Sequence, residues 1–159
     1  MADGRSSALR IAVTVVIALA LAVVQLPEPI NAARPHLLLL LVIYWSLSAP
    51  RLAGLMFAWL CGFAIDVVKG PIFGQHALAF LLVGYLTHKF QLRLRIFPIY
   101  QQTFWVLALL AIYEFLVFWI DGIIGPAVTT WLRWLPVLTS TLLWPVVVAA
   151  LDTWNRARR

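Results

Sequence analysis

The chain has 159 residues, 64% apolar and 11% charged, where a soluble domain has about 45–50% and about 25%; its mean hydropathy is +0.95. These figures exclude a soluble globular enzyme, a disordered tail and a collagen-like fibre, and the long unbroken apolar runs exclude a porin, whose strands alternate polar and apolar residues. The net charge of +6, from 12 Lys and Arg against 6 Asp and Glu, would suggest nucleic acid in a soluble protein. In a chain this apolar it is expected to collect on cytoplasmic loops instead, so no nucleic-acid partner is expected.

The composition therefore predicts an all-α polytopic membrane protein, one transmembrane domain over residues 1–159. A spanning helix takes roughly 20 residues, so five or six spans with short loops fill the chain. The first is predicted over residues 8–26, behind Arg5 and Arg10 and ahead of Pro27-Glu28-Pro29. It resembles a signal peptide, but Asn31-Ala32-Ala33 makes a weak cleavage site, and a retained anchor is expected. The second is predicted over 32–49, with Asn31 as N-cap and Pro35 in the first turn, where a missing N–H costs least. The third covers 52–68 and stops at Lys69-Gly70-Pro71; the fourth covers 75–87. A basic loop, His88 to Arg95, is expected after it, carrying Lys89, Arg93 and Arg95. The fifth covers 102–124, ending at Gly125-Pro126, and the sixth 134–151, with a kink expected near Leu142–Trp144 ahead of Pro145.

Charge sets the expected orientation. With six spans, one side carries Arg5, Arg10, Arg51, Lys89, Arg93, Arg95, Arg156, Arg158 and Arg159; the other carries only Arg34, Lys69 and Arg133. The positive-inside rule places both termini in the cytoplasm and favours an even number of helices. Tyr44, Trp45, Tyr100 and Trp154, and at the other end Trp119, Trp131 and Trp134, are expected as interfacial anchors.

Ionisable residues inside a membrane are costly and therefore informative. Asp66, Glu114 and Asp121 gather toward the outer half of the bundle, within reach of Arg34, Lys69 and Arg133. Lys69 lies three residues beyond Asp66 on the same face and could pair with it. Glu114 and Asp121, seven residues apart, share a helix face. The reading is an intramembrane polar cluster of Asp66, Lys69, Glu114 and Asp121 that fixes helix packing. No catalytic set is expected, because no nucleophile elbow occurs. No metal site or cofactor is expected: His36, His76 and His88 lack metal-ligand spacing, and the single cysteine, Cys61, makes neither a disulfide framework nor a thiolate site. Gly54, Ala58, Gly62, Asp66 and Gly70 recur every four residues along the third helix. Such a stripe lets helix backbones approach closely, either inside the bundle or against a partner's helix.

Taken in order, several segments resemble the MreD family of the bacterial rod-shape (elongation) machinery. They are Arg34-Pro35-His36 with the Leu run, Tyr44-Trp45, Pro50-Arg51, and Gly62, Asp66, Gly70 and Gly74 at spacing four. Ala77-Leu78, Arg93 and Arg95, Gln101-Gln102, Glu114, Asp121 and Leu143-Trp144-Pro145 continue the series. The resemblance covers nearly the whole chain. It implies a non-enzymatic integral protein of the bacterial inner membrane. It also implies a compact six-helix bundle resembling the substrate-binding subunit of energy-coupling-factor transporters. The partners it implies are an MreC-like single-span protein, MreB filaments, and the elongation glycosyltransferase and transpeptidase, together guiding lateral peptidoglycan synthesis and rod shape. The alternative is a small-molecule-binding subunit of a membrane transporter.

Overall fold

In hydrocarbon every backbone N–H and C=O must find its partner within the protein, and a helix meets that demand within one segment. The computed structural model describes residues 2–24, 27, 30–69, 73–125 and 131–156. Among them are six α-helices: α1 (Ala2–Val23), α2 (Leu37–Ser48), α3 (Leu55–Lys69), α4 (Gln75–Ile96), α5 (Ile99–Ile124) and α6 (Leu135–Arg156). Short 3-10 turns, Asn31–Ala33 and Trp131–Trp134, precede α2 and α6. The stretches Ser6–Val23, Ile99–Ile123 and Trp131–Asn155 are long and apolar enough to cross a membrane, which fits a membrane protein.

Hydrogen bonds between helix ends show that successive helices alternate in direction. At one end, Arg10 Nη1 donates to Asn155 Oδ1 at 2.7 Å and the Tyr44 hydroxyl donates to Asp152 Oδ1 at 2.6 Å. There too Arg95 donates to the Leu47 carbonyl through Nε and Nη2, placing a cation at the C-terminus of α2, where the helix dipole favours it. At the other end the His36 N–H donates to Ser140 Oγ at 2.8 Å. α2 is the inner helix, packed against α1, α3, α4 and α6. Leu39, Leu40, Val42, Ile43 and Ser46 are fully buried.

α1 begins at Ala2 rather than residue 8 and α6 runs on to Arg156 rather than 151, and two further segments differ from the expectations in kind. α2 begins at Leu37, not residue 32, and Asn31 lies in the 3-10 turn rather than capping α2. The cause is Pro35: a residue before proline is pushed out of the α region, and Arg34 is extended at φ −67, ψ 121. The twelve-residue helix is only roughly 18 Å long. The expected basic loop is helix. α4 continues through Lys89 and Arg93 to Ile96, because Lys, Gln, Leu and Arg are all good helix formers. It ends where Pro98 forces Phe97 into extended backbone at ψ 139. α6 runs unbroken from Leu135 past Pro145 to Arg156. Tyr44 and Trp45 are buried at 3% exposure. They are not lipid-facing anchors: Trp45 Nε1 donates to Thr14 Oγ1 of α1 at 3.0 Å. Trp119 and Trp131 are exposed.

The closest packing joins α3 to α4. A Cβ built on Gly62 would stand 2.6 Å from both the Ala77 Cα and the His76 carbonyl oxygen; one built on Gly84 would stand 2.7 Å from the Ala58 Cβ. Two helices therefore meet through small residues on both sides, as membrane packing favours. Gly54, which precedes α3, has open space around its Cβ position, and Gly70 lies outside the described residues. Gly62→Ala should lower stability in detergent by ~1–3 kcal/mol through overpacking, with reduced accumulation in the membrane. Gly54→Ala should change neither. Thermal unfolding of the purified variants checks this; an unchanged midpoint for Gly62→Ala would contradict the packing.

Candidate functional site

A helix N-terminus leaves its first N–H groups without intrahelical partners. That of α4 follows Gly74, whose φ of +98 lies in the left-handed region that glycine tolerates. Its N–H groups are met by a carboxylate from another helix. Asp66 of α3, 1% exposed, accepts from Gly74 N at 2.9 Å and Ala77 N at 3.1 Å on Oδ2, and from His76 N at 2.9 Å on Oδ1. The His76 ring also reaches Oδ1 through Nδ1 at 2.9 Å; since a carboxylate only accepts, that nitrogen carries the proton. The expected pairing of Asp66 with Lys69 is therefore corrected. Asp66 spends both oxygens on the positive end of the α4 dipole and on His76, and Lys69 is exposed on the rim of a neighbouring cavity.

The first residue of α4 extends the cluster to α5. Gln75 Nε2 donates to Asp121 Oδ1 at 2.6 Å and to the Val117 carbonyl at 3.2 Å. Arg133, in the turn ahead of α6, bridges the two acids of α5: its Nε donates to Glu114 Oε1 at 2.7 Å and its Nη2 to Asp121 Oδ2 at 2.5 Å. His36 Nε2 lies 3.4 Å from Glu114 Oε2, an ion-pair distance whose angle makes no hydrogen bond. All six oxygens of Asp66, Glu114 and Asp121 thus face an internal cation or donor. The arrangement clamps α3, α4, α5 and the start of α6 at one end of the bundle.

Of the residues expected in the polar cluster, Glu114 and Asp121 are brought together through Arg133, Asp66 joins through His76 and Gln75, and Lys69 stands aside. His36, Gln75 and His76 were missed. The available signal was a glycine followed by a helix start a few residues beyond a buried acid, the pattern of a carboxylate placed to receive N–H groups. The basic residues at the opposite end are spread out: Lys89 sits over the Phe90 ring at 5.9 Å, Arg93 is exposed, and Arg95 holds α2.

Asp66→Leu should destabilise the bundle by at least ~3 kcal/mol, because several buried donors lose their acceptor at ~1–3 kcal/mol each. Asp66→Asn retains one accepting oxygen and should cost less. Arg133→Gln should cost ~3–5 kcal/mol, the range for a buried charge left unpaired. Unfolding in detergent ranks the three; an Asp66→Leu protein as stable as the parent would contradict the capping role.

Comparison with known proteins agrees with these segments. A family profile described as "rod shape-determining protein MreD" matches residues 6–153. A relative, the rod shape-determining protein MreD of Haemophilus influenzae (strain ATCC 51907 / DSM 11121 / KW20 / Rd), is 30% identical over 132 residues, covering 83% of this chain and 82% of its own length. No solved structure matches the chain. The described bundle carries Asp66, Glu114 and Asp121 inside the matched region, and the chain belongs to the MreD family of rod shape-determining proteins.

Proposed function

We propose that the chain is a non-enzymatic scaffold of the cell-elongation machinery in the bacterial inner membrane. All six helices cross, α2 as a short inner span, and both termini face the cytoplasm. The chain binds an MreC-like single-span partner and, with MreB filaments and the elongation synthases, helps direct lateral peptidoglycan synthesis and rod shape. Family membership over residues 6–153 carries the reading. The structure supports it in one respect: the intramembrane acids are committed to internal partners, so what the helices offer another protein is their outer surface. α4 already occupies the Gly62 and Ala58 positions of the small-residue stripe.

One observation favours a second reading. A cavity of about 240 Å³ between α1, α2, α3 and α5 is lined by Asn31, Arg34, His36, Lys69 and Tyr113, among others. A small anionic molecule would suit these groups, as in a transporter's binding subunit akin to those of energy-coupling-factor systems.

The test is copurification and depletion. A tagged chain extracted from its host should carry an MreC-like protein, and its depletion should round rod-shaped cells. A cytoplasm-active reporter fused after Arg159 should work, and one near Pro126 should not. Recovery of an ATPase module with a bound small molecule, and unchanged cell shape on depletion, would instead favour the transporter reading.

A further inference from the structure

We propose that a second cavity, at the end of the bundle where α1 begins and α6 ends, binds a phosphate group, carried by an anionic lipid headgroup or free in solution. The cavity holds about 950 Å³ and is lined by residues of α1, α2, α4, α5 and α6, among them Arg10, Arg95, Gln102, Trp144, Asp152 and Asn155. It is far larger than the interstices of a packed core, and its walls are polar where the surrounding helices are apolar.

Three observations converge on an anion. First, two guanidinium groups share the cavity. Each has five N–H donors. Among the described residues Arg10 gives two to Asn155 and Ser6, and Arg95 gives two to the Leu47 carbonyl. The rest are left for a many-oxygened acceptor such as phosphate, two of whose tetrahedrally placed oxygens can meet the parallel N–H groups of a planar guanidinium. Second, Trp144 lines the same cavity, is 1% exposed, and its indole N–H is a buried donor with no acceptor among the described residues. An indole N–H can only donate, and buried donors are almost always satisfied; a ligand oxygen would supply the missing partner. Third, the one carboxylate among the described lining residues, Asp152, has its Oδ1 engaged by the Tyr44 hydroxyl, and the two cations outnumber it. The cavity also lies at helix ends, the level of lipid headgroups. On the cytoplasmic side, where the proposed topology puts this end, anionic lipids are enriched.

Native mass spectrometry of the delipidated, detergent-purified chain, titrated with phosphatidylglycerol, diacylglycerol or inorganic phosphate, tests this. Phosphatidylglycerol should bind and diacylglycerol, which lacks the phosphate, should not. Retention of the lipid in excess inorganic phosphate would assign the site to a headgroup; displacement by inorganic phosphate, with a raised melting temperature in phosphate alone, would assign it to a soluble group. Trp144→Phe removes the donor and should weaken binding about fivefold, and Arg10→Gln, at the cavity's edge, about tenfold, as expected for a neutral and a charge-assisted hydrogen bond. Melting temperatures near the parent's would show that both variants fold. Equal binding of phosphatidylglycerol and diacylglycerol, no binding of either lipid or phosphate, or parental affinity in folded Trp144→Phe and Arg10→Gln would overturn the proposal. A failure here leaves the scaffold role intact, because copurification of the partner does not depend on it.

Discussion

The carboxylate of Asp66, buried in α3, takes the N–H groups that open α4, and much of one end of the bundle follows from that contact. A helix start packed inside the protein has no water to satisfy its first N–H groups. A negative charge there meets both the open donors and the positive end of the helix dipole. Holding α4 at this point sets its depth against α3, and that depth is what lets Gly62 face Ala77 and Ala58 face Gly84 at near-contact distance. It also aims Gln75 at Asp121, which in turn positions the Arg133 bridge to Glu114. Buried charges are retained in apolar surroundings only when paired, and here Asp66 is held across the α3–α4 boundary while Glu114 and Asp121 share Arg133 across the α5–α6 boundary.

The two ends of the bundle differ in how they use charge. At the end with Asp66, the acids are met by Arg133, His76 and Gln75, while Arg34 and Lys69 line the neighbouring cavity. At the opposite end Arg10 and Arg95 are tied to a side-chain amide, a hydroxyl and a backbone carbonyl, partners that engage a guanidinium without neutralising it. The first end ties helices together through its acids, whereas the second leaves its cations without a carboxylate partner among the described residues.

The six helices were legible because each apolar run is bounded by proline, glycine or polar turn residues, and the alternation of basic and charge-poor ends was legible from loop charges alone. Helix limits were read less well where charge was taken as the signal for a loop. Lys89, Arg93 and Arg95 are helix formers, and the break came at Pro98; Pro35 likewise delayed α2. The acids of the candidate site were visible because ionisable residues stand out in apolar sequence. Their partners were not. Spacing rules report neighbours on one helix, which led from Asp66 to Lys69, whereas the actual partners, Gly74, His76 and Ala77, lie across a turn whose geometry depends on one left-handed glycine. The buried places of Tyr44 and Trp45 were hidden for a related reason: an aromatic near a helix end reads as an interfacial anchor unless the depth of the whole helix in the bundle is known.

Hydrogen–deuterium exchange of the chain in nanodiscs tests the central claim most directly. If Asp66 holds the start of α4, the amides of Gly74, His76 and Ala77 should be protected to nearly the degree of the α4 interior, and Asp66→Asn should raise exchange at those amides while leaving the second half of α4 unchanged. Free exchange at these three amides in the parent chain, or unaltered protection in Asp66→Asn, would contradict the account.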